Sequence, residues 1–258
     1  MSTFAPATTF ASSLRGWRER QRVSQLELAL RAGTTQRHIS FIERGRSLPG
    51  RGMIVRLTEA LEVPLRERNA MLLSAGFAPA YRETALDDAS LDPVRGALEH
   101  VLAGHAPYPA VITDREGFVV SGNAPFRALL GPLAESPVNL ARVLLSPDGL
   151  ASRIRNLDEW GWHVLDGIRR KALRHPGSQL AALADELEPL VPPRRTAPQH
   201  AGFAVPLRIA AGGGAELTLL TTLAHFATTI DVAISELTLE AFLPGDAATA
   251  EHFARHQS

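Results

Sequence analysis

The chain has 258 residues, 45% of them hydrophobic and 21% charged, with a formal net charge of +0 and no cysteine. That length holds one large domain or two small ones, and the composition is that of a globular protein. The missing thiols exclude disulfides and thiolate metal sites, and they fit a reducing, cytoplasmic location. The stretch MSTFAPATTFASS has neither a basic lead nor a long apolar run, so no secretory signal is expected. The most apolar run, LTLLTTLAHFATTIDVAI, is interrupted by His225, Asp231 and several threonines, so no membrane partner is expected.

Residues 10–78 carry about five short helical patterns separated by turn signals. Leu14, Trp17 and Val23 mark the first. The second is predicted from Ser24 to Ala32 and the third from Thr35 to Arg44. Met53, Ile54, Leu57 and Leu61 repeat at helical spacing in a fourth, and Pro64 introduces a fifth that ends at Gly76. Periodicity is then lost over 76–92, which reads as a linker, and a connector helix is predicted over Pro93–Ala103.

The second half changes character. PAVITDREGFVVSGN reads as two strands around a turn at Arg115–Gly117. Helices are predicted from Asn123, from near Leu150 through IRNLDEWGWHVLDGIRRKAL, and over Gln179–Leu190. Three strand patterns follow: AGFAVPLRIA, AELTLLTTLAHFA and TIDVAISELTLE, with the glycines at 212–214 as a hairpin turn between the first two. Two strands, a helical middle and three strands give an α+β, PAS-like domain, with antiparallel strands and helices on one face enclosing a pocket. The division expected is 1–78, an all-α helix-turn-helix domain; 79–105, linker and connector; and 106–258, the PAS-like domain.

Charge follows the same division. Residues 1–80 carry 12 Arg against 6 Glu, and the rest carries 15 Lys+Arg against 21 Asp+Glu. A basic module joined to an acidic one suits a DNA-binding head on a separate regulatory body. Only Lys171 is a lysine, which has no functional weight by itself.

Within the second and third helical patterns, Ser24 with Glu27 three residues on reads as a capping box. Ala29 is small where helices approach, Gly33 supplies the turn, Thr34 or Thr35 caps the next helix, and Ile39 and Ile42 face inward. This spacing specifies a helix-turn-helix. The buried set leaves Gln36, Arg37, His38, Ser40 and Phe41 on the surface of the third helix, with Arg44, Arg46 and Arg51 in the loop beyond it. Gln and Arg make bidentate contacts to adenine and guanine edges in the major groove, and loop arginines hold phosphates. The alternative is a helical head that binds a protein, as in an adaptor or antitoxin.

SQLELALRAGTTQRHISFIERGRSLPG resembles the Xre/Cro-type helix-turn-helix of phage repressors. The run on through LTEALEVPLRERNAMLLSAGFAPAY resembles one bacterial subgroup, whose head is followed by a MmyB-like ligand-binding domain of PAS-like fold. PYPAVITDREGFVVSGN, SPDGLASRIRNLDEWGWHV and TTIDVAISELTLEAFLPGDAATAEHF carry that second resemblance, and the two together extend from about Leu14 to Phe253. It implies a phosphate contact for Gln25, base contacts for Thr35, Gln36, Arg37 and His38, and an internal salt bridge between Arg18 and Glu43. It also implies a homodimer on a near-palindromic double-stranded operator and a fatty-acid-like or other small hydrophobic ligand. Phe41 is expected to pack on a neighbouring helix.

Arg153, Asn156, Trp160 and His163 recur at three and four residues and are predicted on one helix face, where they would hold a ligand's polar head. Tyr108, near the first strand, is a further candidate. No metal is expected: His252 and His256 lie four apart without the intervening Glu of a metalloprotease motif. There is no nucleophile-elbow context and no phosphate loop, so no enzyme and no cofactor are read from the sequence.

Overall fold

The computed structural model describes residues 9–134, 137–194, 204–226 and 230–255. Two compact units emerge, one running to Glu83 and taking in Ile230–Val232, the other comprising the remainder.

The first unit is helical: α1 Phe10–Arg20, α2 Gln25–Arg31, α3 Gln36–Glu43, α4 Arg51–Ala60 and α5 Leu65–Ser74. Each helix gives its apolar stripe to one core. Leu14 and Trp17 come from α1, Leu28 and Ala29 from α2, Ile39 and Ile42 from α3, Leu57 from α4 and Leu72 from α5. Burying each isoleucine of α3 contributes about 1.5–3 kcal/mol. Ser24 caps α2 by accepting the Glu27 amide, while the Glu27 carboxylate accepts from Arg31 one turn on. Gly33, with φ +63°, lets the chain reverse between α2 and α3. Thr35, not Thr34, caps α3 through the His38 amide. Beyond α5, Asn69 holds the backbone of Ala80 and Tyr81, and Val232 donates its amide to the Arg82 carbonyl.

The second unit opens with α6 Asp92–Gly104, then β1 Ala110–Thr113, β2 Val119–Gly122, α7 Ala124–Leu130, α8 Leu140–Leu145, α9 Leu157–Arg174 and α10 Leu180–Leu187. It closes with β3 Leu207–Ala210, β4 Glu216–His225, α11 Val232–Ser235, β5 Thr238–Pro244 and α12 Ala247–Arg255. The five strands form one antiparallel sheet in the order β2-β1-β5-β4-β3. This is the α+β arrangement expected. Strand alternation sorts the side chains into two cores. Val111, Ile209, Leu219 and Phe242 pack on one face with Leu145, Trp160 and Leu165 from the helices between β2 and β3. Ala110, Ile112, Leu239 and Ala241 pack on the other with Leu98 and Leu102 of α6.

The structure differs from expectation in three places. Helices cover both sheet faces, because the predicted connector helix carries Leu98 and Leu102 one turn apart and buries them on the sheet. The β-branched segment VAIS forms the single helical turn α11 instead of continuing a strand, burying Val232 and Ile234. The long helix expected from near Leu150 starts at Leu157, after a short 3-10 turn at Ala151–Arg153.

A buried asparagine joins three elements. Asn123 accepts from the amides of Ala110 and Phe126 and donates to the carbonyls of Leu102 and Tyr108, so the end of α6, the start of β1 and the cap of α7 share one side chain. After α8 the chain doubles back and the Leu150 amide donates to the Val143 carbonyl at 2.7 Å. A Cβ on Gly149 would stand 2.0 Å from that same carbonyl oxygen. Gly149→Ala is therefore expected to destabilise the protein by at least about 2 kcal/mol, since backbone must move; a urea unfolding midpoint equal to wild type would contradict this packing.

Candidate functional site

The helical unit presents the N-terminal half of α3. Thr35, Gln36 and Arg37 are exposed; His38 is half-buried, its Nδ1 3.0 Å from Thr34 Oγ1. Arg37 lies over the half-buried Phe41 ring at 5.3 Å, so Phe41 serves as a platform for a base-reading candidate. Arg44 reaches back to the Ser40 hydroxyl, and Arg44, Arg46 and Arg51 are all exposed. Among the described residues none of Arg37, Arg44, Arg46 and Arg51 pairs with a carboxylate, whereas Arg15, Arg18 and Arg31 do. Arg20, Arg22 and Arg56 are likewise exposed without a carboxylate partner among the described residues, so unpaired positive charge flanks α3 on the end of α1 and on α4 as well.

Gln25 is placed differently from its neighbours. Its Nε2 donates to Glu43 Oε2 at 2.8 Å. Glu43 also takes a two-point contact from Arg18, at 2.6 and 2.9 Å. This carboxylate is nearly enclosed, with 3% of its side chain exposed against 12% for Arg18. The Arg18 guanidinium is held protonated beyond its usual range by that hydrogen-bonded contact. Glu43, at the end of α3, therefore fixes α1, α2 and α3 to one another.

In the second unit a cavity of about 370 Å³ lies between the sheet and α9. Leu144, Trp160, Ile168, Leu183 and Phe242 supply its apolar wall. Lys171, His175 and Glu240 also line it and form a polar portion. Burial lowers the Lys171 pKa despite the acidic groups around it and lowers that of His175; burial raises that of Glu240.

Of the five ligand candidates, Trp160 and His163 line this cavity, Trp160 buried and His163 exposed. Arg153 precedes α9 and donates to the carbonyls of Ala210 and Leu129. Asn156 accepts from the Arg208 amide and donates to the Pro206 carbonyl, pairing with the free edge of β3. Tyr108 stands edge-on to Phe253 at 5.8 Å. These three thus have structural partners away from the cavity, and helical spacing fails for Arg153 and Asn156 because α9 begins after them. Lys171 and Glu240 had no individual signal in the sequence. Continuing the Trp160 face along α9 by threes and fours reaches Ile168 and then Lys171, and period-two alternation along β5 places Glu240 with Thr238 and Phe242.

Among the described residues there is no group of three or more His, Cys, Asp or Glu that could hold a metal, and no helix is long and apolar enough to cross a membrane. His256 lies outside the described residues.

Residues 14–68 match the helix-turn-helix family, and residues 94–255 match the MmyB-like transcription regulator ligand binding domain. The chain belongs to the MmyB-like transcription regulators. An uncharacterized HTH-type transcriptional regulator, y4dL of Sinorhizobium fredii (strain NBRC 101917 / NGR234), is 44% identical over 77 residues; the match spans 30% of this chain and 36% of that protein. A solved RNA-binding light-oxygen-voltage receptor aligns over 97% of this chain and 63% of its own, at 14% identity and a TM-score of 0.29, too low to bear on fold or function. This MmyB-like regulator accordingly combines a helix-turn-helix domain with a domain of the ligand-binding family.

Glu43→Ala in the MmyB-like regulator is expected to cost about 3 kcal/mol, because it removes the two-point contact of Arg18 in a largely enclosed place and leaves it the Val23 carbonyl and the edge of Glu19. Glu43→Gln, which keeps an acceptor, is expected to lose less. Chemical denaturation followed by circular dichroism measures both, and equal losses would show that charge plays no part.

Proposed function

We propose that this protein is a cytoplasmic, homodimeric transcription regulator, not an enzyme, that reads a double-stranded operator with Thr35, Gln36, Arg37 and His38. A small hydrophobic ligand of fatty-acid type, held in the cavity beneath α9, sets the state of the dimer. The observation that carries the DNA part is the outward face of α3, where Gln36 and Arg37 stand beside arginines that have no acidic partner among the described residues. Arg44, Arg46 and Arg51 would meet phosphates, supplying affinity and register, while the α3 residues supply sequence discrimination. Gln25 supports the site by holding Glu43 and contacts a phosphate only with what its side chain has left. One head spans few base pairs, so two heads about a helical turn apart are needed for tight binding. A ligand alters transcription only by the difference in its affinity for two arrangements of the dimer.

The cavity carries the sensing part. Its apolar wall of leucines, isoleucine, tryptophan and phenylalanine suits an acyl chain, and its volume lies near the lower end of ordinary ligand pockets. Arg153, Asn156 and Tyr108 would act by shaping the domain around the cavity, with Trp160 and His163 touching the ligand.

Gln36→Ala and Arg37→Ala are each expected to cost about 1–3 kcal/mol at the operator found by chromatin precipitation and sequencing. Arg46→Ala should weaken all DNA alike and reduce the salt slope by about one. Gel shifts at fixed salt separate the two, and wild-type operator affinity in the Gln36→Ala, Arg37→Ala double variant would exclude α3 as the reading helix. DNA affinity that does not change with salt would favour a head that binds protein instead.

Ile168→Trp should fill the cavity. Acyl compounds that raise the melting temperature of the wild type should not raise that of the variant. Equal thermal shifts would place the ligand elsewhere.

A further inference from the structure

Thr34 does not cap α3, and its hydroxyl serves another residue. Its amide donates to the Ala29 carbonyl at 2.9 Å, so the turn at Gly33 ties its backbone to the end of α2. From that anchored place its Oγ1 lies 3.0 Å from His38 Nδ1. The next threonine takes the backbone of the same residue, the His38 amide donating to Thr35 Oγ1 at 3.2 Å. His38 is thus held at its main chain by one threonine and at its ring by the other. Its neighbour Arg37 is steadied separately, over the Phe41 ring.

The two nitrogens of an imidazole point to different sides of the ring, so Nδ1 directed at the turn sends Nε2 away from it. Among the described residues Nε2 has no partner, and it is not one of the buried polar atoms left without one, so water reaches it. What Nε2 can do is set by the hydrogen bond at Nδ1. A neutral imidazole carries one N–H, and a threonine hydroxyl can donate or accept. Thr34 Oγ1 meets no other acceptor among the described residues, so donation to Nδ1 uses a proton that otherwise goes to water. His38 then carries its own proton on Nε2. An imidazolium carries a proton there as well, so Nε2 is a donor in both states.

We propose that Thr34 is a positioning residue that turns the Nε2–H of His38 outward as a donor to N7 of a guanine in the major groove. The proposal rests on the reading of α3 as the helix that meets the bases. Guanine is the base whose major-groove edge offers two acceptors, N7 and O6, and no donor. Adenine sets an amino group beside its N7, cytosine presents an amino donor, and thymine presents one acceptor beside a methyl group. A valine in place of Thr34 has nearly the same shape and leaves the imidazole free to turn over. The hydroxyl therefore contributes orientation fixed before DNA arrives, and the cap stays with Thr35.

Gel shifts of the full chain on its operator, with each guanine of one half-site replaced in turn by 7-deazaguanine, test this. That base lacks N7 and still pairs with cytosine. At one position the wild type should lose about three- to tenfold in affinity, the net size of one hydrogen bond, and His38→Ala should lose nothing further. Thr34→Val should bind the normal operator more weakly than wild type and the 7-deazaguanine operator equally well, and Thr34→Ser should keep the discrimination. The Thr34→Val, His38→Ala double variant should lose no more than His38→Ala alone. Circular dichroism melts of Thr34→Val and Thr34→Ser should stay close to wild type. A Thr34→Val loss of the same size on both operators marks a structural role and overturns the proposal. So does a half-site in which no guanine replacement separates wild type from His38→Ala; α3 remains the reading helix if Gln36→Ala and Arg37→Ala still lose affinity. Wild-type affinity in those two variants as well removes the reading of α3 together with the proposal.

Discussion

The carboxylate of Glu43 is the contact on which the helix-turn-helix head depends. It sits at the C-terminal end of α3 and gathers the Arg18 guanidinium from α1 and the Gln25 amide from α2. Hydrophobic burial of Ile39 and Ile42 is non-directional and would tolerate some sliding of α3 in its groove. A two-point guanidinium contact to an enclosed carboxylate does not, because displacement would leave charge unpaired in a place water reaches poorly. Orientation of α3 is what sequence reading requires, since bidentate contacts to bases tolerate little angular error. Arg18 and Glu43 are thereby taken up by one another, while Arg37 of α3, Arg44 and Arg46 beyond it and Arg51 of α4 meet no carboxylate among the described residues.

The second unit solves a related problem with a different device. A five-stranded antiparallel sheet with helices packed on both faces sends alternate residues of its central strands β1 and β5 into opposite cores. On β5 that alternation places Leu239 and Ala241 against α6, while Glu240 and Phe242 turn toward α9. A carboxyl is carried into the interior by the period of the strand, and the lysine that balances it comes from the helix across the cavity. Both groups are half-buried where they line the cavity, so each keeps part of its hydration and escapes the full cost of a buried charge. The polar backbone at the β3 edge is handled separately, by Arg153, Arg155 and Asn156. Residues that look like a ligand grip in one dimension are occupied in closing a sheet.

Legibility in the sequence varied with how local the cause was. Five helices of the head followed from apolar spacing, and the turn followed from Gly33, whose positive φ favours glycine. The hairpin turn at Arg115–Gly117 was equally local, fixed by Asp114 accepting two nearby amides and by a positive φ at Gly117. The choice between Thr34 and Thr35 as cap was not legible, because either hydroxyl could reach an amide; the structure gives Thr34 to His38 and leaves Thr35 to cap. The segment VAIS illustrates the opposite limit. Its β-branched residues fit a strand, and strand alternation would also put Val232 and Ile234 on one buried face; the structure forms a helical turn there instead, which no local pattern announces.

By itself, then, the sequence determined the two-module plan, the helix-turn-helix and the α+β class. These rest on periodicity, on glycine and proline geometry, and on a charge difference summed over many residues. It also determined which residue types face outward at the start of α3, because a short helix with two buried isoleucines has a defined opposite face. Only the tertiary structure decided that Gln25 answers to Glu43, that Arg153 and Asn156 serve a sheet edge, and that Lys171 and Glu240 share a cavity. Each of those depends on which residues distant in the chain are brought within a few ångströms, and no local pattern carries that information.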